Sequence, residues 1–269
     1  MPFAENSFAE NKKTKIYWDE QGQGNPVLLI MGLGWASNMW HRTRPVLAAH
    51  YRTIAFDNRG AGRSDVPPGP YPMATMASDA AAVLDAADIS SAHVLGASMG
   101  GMIAQEFALQ YPRRVRSLIL ACTAPGGPHS VQADSEVIQV LFHQFPTPKE
   151  RAEAIVPFIY DAGTSRERVD QDLATLSEWY PNPQGYMAQL QGILAWEAYS
   201  RLPQISAPTL VIHGANDRLV PAANADLIVG RIPGAQLVKI PGASHILMTD
   251  QPGPCHQAML EFLAAHNNS

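Results

Sequence analysis

Two cysteines in 269 residues, Cys122 and Cys255, are too few for a disulfide framework, and both are expected to be reduced and buried. Charge is sparse at 16%, and no run of Lys or Arg exceeds two residues. With a formal net charge of −5, the clustered basic face that nucleic-acid binding needs is missing, so no nucleic-acid partner is expected. No apolar run approaches the roughly 18 residues of a membrane span, so no membrane partner is expected either. The opening MPFAENSFAENKK has acids and lysines where a signal peptide carries an apolar core, and the expected location is cytoplasmic. Repeats and low-complexity segments are lacking. The histidines show neither H-E-x-x-H nor Cys/His ligand spacing, and Gly60-Ala61-Gly62 lacks the remaining glycine of a phosphate cradle. No metal and no cofactor are therefore expected.

What the chain has is apolar material, 46% of its residues, enough for one large domain with a full core. Short β-rich runs recur at Lys15–Trp18, Val27–Ile30, Thr53–Phe56, His93–Gly96, Ser117–Ala121, Thr209–His213 and Gln236–Ile240. Most are continuous rather than alternating, which predicts a mostly parallel sheet covered on both faces. Helix-like stretches at Ala77–Ala87, Met102–Tyr111 and Gln257–Ala265 alternate with them, the pattern of a doubly wound α/β fold. The alternation breaks between Ala124 and Ser206. That segment is rich in aromatic residues, lacks a convincing strand, and has helical spacing at Val137, Leu141 and Phe145 and at Ile155, Phe158 and Ile159. It is expected to be an inserted helical lid (124–206) on a core built from residues 1–123 and 207–269.

Gly96-Ala97-Ser98-Met99-Gly100 is a G-x-S-x-G sequence lying between a strand and a helix. A serine on such a tight, strained turn projects its hydroxyl above the sheet edge, and the flanking positions leave room only for glycine. The helix that follows points its N-terminal dipole at the place where an oxyanion would form. The stretch Val94–Ile103 resembles the nucleophile region of the α/β-hydrolase family, with a resemblance to serine esterase and lactonase members that extends over nearly the whole chain outside the insert. Phe56-Asp57-Asn58-Arg59-Gly60-Ala61-Gly62-Arg63-Ser64-Asp65 is similar to that family's D-x-R-G-x-G-x-S turn, where Asp57 and Arg59 are expected to hold loops rather than catalyse.

A serine nucleophile needs a base, and neutral histidine suits pH 7. The family resemblance implies His245, after the last strand, as that base, and Asp217, after the preceding strand, as the acid that orients it. His213 ends a strand and is expected to pack or bond locally. Asp250, five residues past His245, is expected to cap a helix and point away. The oxyanion donors are expected to be the backbone N–H of Met99 and, from the turn after Val27–Ile30, that of Leu33. Most relatives begin that turn with His-Gly, whereas this chain has Met31-Gly32.

Trp35, Met39, Trp179, Trp196 and Met248 are candidate substrate contacts in an apolar pocket, although Met39 and Trp40 also fit a helix packed on the sheet. The expected function is hydrolysis of a small-molecule carboxylic ester through an acyl-enzyme. Lactonase or methylesterase activity, cofactor-free haloperoxidase or perhydrolase chemistry, and a triad-bearing signal receptor are the alternatives. The sequence leaves oligomeric state and natural substrate open.

Overall fold

Alternation along the apolar strands decides the layers of this molecule. The structure, a computed structural model, describes residues 3–7 and 13–267, so parts of the opening segment read above for a leader, at 1–2 and 8–12, lie outside the described residues. Among the described residues, eight strands form one sheet: β1 (Phe3–Ser7), β2 (Lys13–Gln21), β3 (Pro26–Ile30), β4 (Arg52–Phe56), β5 (Ala92–Ala97), β6 (Val115–Ala121), β7 (Thr209–Gly214) and β8 (Gln236–Ile240). The spatial order is β1-β2-β4-β3-β5-β6-β7-β8, with β1–β2 and β2–β4 antiparallel and every later pairing parallel. The seven expected strands are present; β1 is an addition.

In the central strands both faces are buried, as parallel strands under helical crossovers must be. Leu28, Ile30, Val94, Leu118, Leu120 and Val211 join the core on one face, beside α2 (Met73–Ala86) and α3 (Met99–Gln110). Val27, Leu29, Leu95, Ile119 and Ile212 join the other, beside the α1 (Arg44–Ala48) residue Leu47. The edge strand β8 has water on part of its surface and accommodates exposed Gln236 and Lys239.

Between β6 and β7 lie four helices, α4 (Ser135–Phe142), α5 (Pro148–Ile159), α6 (Arg166–Glu178) and α7 (Pro183–Leu194). Local chemistry starts each one. The side chains of Asp134, Thr147, Ser165 and Asn182 accept hydrogen bonds from backbone N–H groups of the respective first turns, and Pro148 and Pro183 open α5 and α7. The chain then returns through β7, α8 (Ala223–Val229), β8, α9 (Leu247–Asp250) and α10 (Pro252–Ala265), which packs Met259 and Leu263 onto the second face.

The insert is fastened to the rest by buried polar groups. Asp172 on α6, 1% exposed, accepts hydrogen bonds from Arg42 Nε at 2.8 Å, Thr249 Oγ1 at 2.6 Å and Tyr160 Oη at 3.1 Å, with His41 Nε2 3.1 Å away. Burial pushes this carboxyl up, but His41, Thr249 and Arg42 outweigh it and hold it below its ordinary range. At the other end of the insert, Trp196 Nε1 donates to Glu106 Oε2 on α3 at 2.8 Å, and Arg201 grips the same carboxylate.

Candidate active site

β5 ends at Ala97, and Ser98 follows it with a φ of 57° and a ψ of −122°, where a side chain is strained. The surroundings hold it there: Ser98 N–H donates to the Ala121 carbonyl at 2.8 Å, and its own carbonyl accepts from Gly101 N–H and Thr123 Oγ1, both at 2.8 Å. Glycine is required on each side by space rather than by dihedral angle. A Cβ at Gly96 would run into the Gly100 carbonyl, and one at Gly100 into the Ile30 carbonyl. The strand, helix and loop ends at this point are packed backbone to backbone.

The turn after β3 passes beside the hydroxyl. A Cβ built on Gly32 would stand 3.1 Å from Ser98 Cβ and 3.6 Å from its Oγ. Leu33 follows directly, and among the described residues no backbone carbonyl accepts from its amide. Met99 opens α3, where first-turn N–H groups have no intrahelical acceptor. Both expected oxyanion donors therefore belong to segments that border Ser98 Oγ. The Met31 side chain is buried, and the Met31 carbonyl accepts from Asn58 Nδ2 at 2.8 Å. Asp57 supports the continuation of the turn by accepting from Ser37 N–H at 2.7 Å, and Arg63 in turn donates to Asp57. Arg59 pairs with Asp79 on α2 at 2.5 and 2.7 Å. Asp57 and Arg59 thus hold loops, as the resemblance implied.

His245 and Asp217 come from the loops after β8 and β7, which are tied together by Asn216 N–H donating to the Ala243 carbonyl at 2.9 Å. His245 Nδ1 lies 2.8 Å from Asp217 Oδ2, leaving Nε2 as the nitrogen available to act as a base. The other carboxylate oxygen, Oδ1, accepts from the N–H groups of Leu219 at 2.9 Å and Val220 at 2.8 Å. Burial alone would raise the Asp217 carboxyl, but the neighbouring His245 and the His213 hydrogen bond together hold it well below the usual carboxylate range. The site therefore presents an ionised acid whose orientation is fixed by its own loop.

His213 bonds locally, as its position suggested: its Nε2 lies 2.8 Å from the Val220 carbonyl. It also stands 3.3 Å from Asp217 Oδ2, a second imidazole on the acid that its sequence position does not reveal. Cys122, His213 and Asp217 bring potential ligand atoms within 4.8 Å of one another, all of them buried. Asp217 already accepts four contacts there, and burial pushes the Cys122 thiol well up, so the donor set suits the orientation of His245 better than it suits a cation.

The expected helix cap at Asp250 is corrected. Its carboxylate accepts from Ser244 N–H at 2.7 Å, Thr164 Oγ1 at 2.6 Å and Asp161 N–H at 3.2 Å, joining the residue before His245 to the insert. Asp250 is 4% exposed at the end of α9, just before α10, and α10 starts with no side-chain cap, because the donors to Asp250 come from elsewhere in the chain.

The candidate substrate contacts fall in different surroundings. Trp35 packs against the insert cluster of Ile159, Tyr160 and Val169, which Leu219 of the acid loop and Ile246 beside His245 also pack against. Met248 packs on the same face of the core as Met39. Met39 itself sits in a short helical turn, Ser37–Trp40, and is buried, the alternative noted for it above. Trp179 is 38% exposed with its ring 5.4 Å from the Arg63 guanidinium, and Trp196 is committed to Glu106 and the core. A cavity of about 520 Å³ opens between α5 and α6, lined by Ala152, Leu173 and Tyr180 and rimmed by Lys149, Glu153 and Arg166.

Comparison with known proteins places this arrangement. The family model described as alpha/beta hydrolase fold matches residues 25–252. The chain is an alpha/beta hydrolase. A relative from Azorhizobium caulinodans that bears the name of a carbamate hydrolase is 30% identical over 266 residues, 97% of this chain and 98% of its own. A poly(3-hydroxyalkanoate) depolymerase from Ectopseudomonas oleovorans is 34% identical over 229 residues, 83% of this hydrolase and 79% of its own length. The solved structure of a thermophilic esterase from Thermogutta terrifontis superposes with a TM-score of 0.85 at 27% identity, covering 100% of both chains.

Proposed function

We propose that this alpha/beta hydrolase cleaves carboxylic esters through an acyl-enzyme, with Ser98 as nucleophile, His245 as general base and Asp217 as the orienting acid. The observation that carries the reading is the 2.8 Å His245–Asp217 contact, made by a carboxylate kept ionised and locked by two backbone amides. His245 Nε2 takes the Ser98 proton as Oγ attacks the ester carbonyl, and the imidazolium is stabilised by Asp217. The N–H groups of Leu33 and Met99 hold the developing oxyanion. Collapse expels the alcohol, protonated by His245; water, activated by the same nitrogen, then releases the acid and restores Ser98. The chain supplies nucleophile, base and oxyanion donors, so the cycle needs no metal or cofactor.

The names of the depolymerase and esterase relatives fit ester chemistry. Carbamate cleavage is the second reading, favoured by the Azorhizobium relative that spans nearly the whole chain. It uses the same groups on a less electrophilic carbonyl. The deciding experiment is a panel of short neutral esters, lactones and carbamates turned over with a chelator present, beside Ser98→Ala. Ester turnover in the parent, a loss on the order of 10³-fold or more in kcat in the variant, and fluorophosphonate labelling of the parent alone are expected. Ester hydrolysis by Ser98→Ala at near-parental rate would end the reading, and carbamate turnover well above ester turnover would replace its substrate class.

A further inference from the structure

The oxyanion turn carries a glycine-rich backbone, and such a backbone does not hold an amide in one direction by itself. Met31 to Gly34 follows β3 with Gly32 and Gly34 on either side of Leu33, and Gly34 has a φ of +74°. A donor acts on a transition state only if it is already aimed, so something must fix the peptide planes around Leu33.

The fixing groups come from two directions. Asn58 Nδ2 holds the Met31 carbonyl from the core side. On the other side, Gln189 of α7 accepts the Gly34 N–H through Oε1 at 2.7 Å and donates from Nε2 to the Arg59 carbonyl, also at 2.7 Å. Gln189 is fully buried, and both ends of its amide are used. The Gly34 amide belongs to the peptide plane next to the Leu33 amide, so holding it limits rotation at Leu33 itself.

Helix α7 is pressed into this position. Its Gly185 touches Gly60 backbone to backbone, its Gly192 meets the Tyr71 carbonyl so closely that neither could carry a Cβ, and Tyr71 N–H donates to the Ala188 carbonyl at 3.0 Å. Tyr186, three residues before Gln189 and therefore on the same side of the helix, covers Gly34: a Cβ there would lie 2.8 Å from the Tyr186 ring. The small residues bring the helix close, and Gln189 then reaches the turn with both hydrogen bonds formed.

We infer that Gln189, a residue of the insert, is a positioning residue for the oxyanion hole. This rests on the assignment of Leu33 as an oxyanion donor. The helix that bears Gln189 is thereby part of the catalytic apparatus, and the insert contributes to rate.

The test compares Gln189→Met, which fills similar space without either hydrogen bond, with the parent and with Met187→Ala, an exposed position on the same helix. Three readouts are taken on folded protein: kcat, KM for a short neutral ester, and affinity for a boronic acid that forms a tetrahedral adduct on Ser98. For Gln189→Met, kcat and boronate affinity are expected to fall together by about 10- to 100-fold while KM stays within about threefold, since a misaimed donor loses transition-state binding alone. Met187→Ala should match the parent. If Gln189→Met does not fold, Gln189→Asn, too short to span both partners, carries the same expectation. Boronate affinity unchanged, or a rise in KM with kcat preserved, would overturn the inference. A parent that hydrolyses no ester and binds no boronate would instead overturn the assignment on which it rests.

Discussion

Replacing Asp217 with Asn tests the acid at a place where the structure dictates which way the new amide faces. Oδ1 accepts two backbone N–H groups, from Leu219 and Val220, so the carbonyl of the new side chain must stay there. The NH₂ then replaces Oδ2, 2.8 Å from His245 Nδ1 and 3.3 Å from His213 Nε2. A donor facing Nδ1 selects the imidazole tautomer whose proton sits on Nε2, and that nitrogen can no longer take the Ser98 proton. The tautomer penalty in a serine triad is about 10⁴-fold in kcat, or about 5 kcal/mol at 1.36 kcal/mol per tenfold. KM should barely change, because no substrate contact is touched. The assay is steady-state hydrolysis of a short ester, with active sites counted by burst titration so that misfolded protein is not mistaken for slow protein. A variant within tenfold of the parent kcat would refute the reasoning, because it would mean that Asp217 does not set the tautomer of the base.

Asp250→Asn loosens the link to Ser244 without touching the imidazole and should cost roughly tenfold at most in kcat, far short of the Asp217 variant; the reverse ranking would move the acid to Asp250. Trp196→Phe leaves Glu106 buried without its indole donor but still gripped by Arg201. A loss of about 1.5–3 kcal/mol is expected in urea unfolding, with small-ester kcat unchanged, and an unchanged midpoint would show that this bond does not fasten the insert. His93 is fully buried, and burial, aided by the charge of Arg116, lowers its pKa from 6.5 to about 4. Between those values the unfolded chain binds a proton that the folded one refuses, so stability is complete above 6.5 and falls as pH drops toward 4, by about 3 kcal/mol. His93→Gln should flatten that part of the profile in urea titrations from pH 7 to pH 4.5; an unchanged slope would assign the acid sensitivity elsewhere.

The parts of the molecule that were legible in the sequence are those whose cause is local. Val27–Ile30 and Ser117–Ala121 announce buried strands because every residue is apolar or small, and the Ser98 turn announces itself because both its glycines, Gly96 forced by Gly100 and Gly100 by Ile30 of β3, fall within five residues of the chain. β1 escaped notice because Phe3-Ala4-Glu5-Asn6-Ser7 has neither an apolar run nor a clean alternation; it is an edge strand paired to β2 through the backbone. Gln189 and Asp172 were invisible for a different reason. Each is a polar residue on an insert helix, indistinguishable from a solvent-facing one until Gly34 and Arg59, 155 and 130 residues away, or Arg42, 130 residues away, close on it. Asp250 misled in the same manner: a carboxylate at a helix end reads as a cap, and its real donors lie 86 and 89 residues upstream as well as six.

The buried carboxylate of Asp172 bears on how this protein could be recombined with its relatives. Its donors come from Arg42, in the stretch leading away from the oxyanion turn, from Thr249, four residues past His245, and from Tyr160 within the insert. A chimera that imports residues 124–206 from another member, without a carboxylate at this place, would strand the buried Thr249 hydroxyl and take from Arg42 its partner, at about 1–3 kcal/mol for a buried unsatisfied group. Against a total stability of about 5–15 kcal/mol, such a loss is a sizeable fraction of the margin. The insert is thus a poor cassette for shuffling. Libraries that vary the insert would do better to keep Asp172 with its three partners and change the side chains around Leu173 and Tyr180, where the cavity between α5 and α6 leaves room.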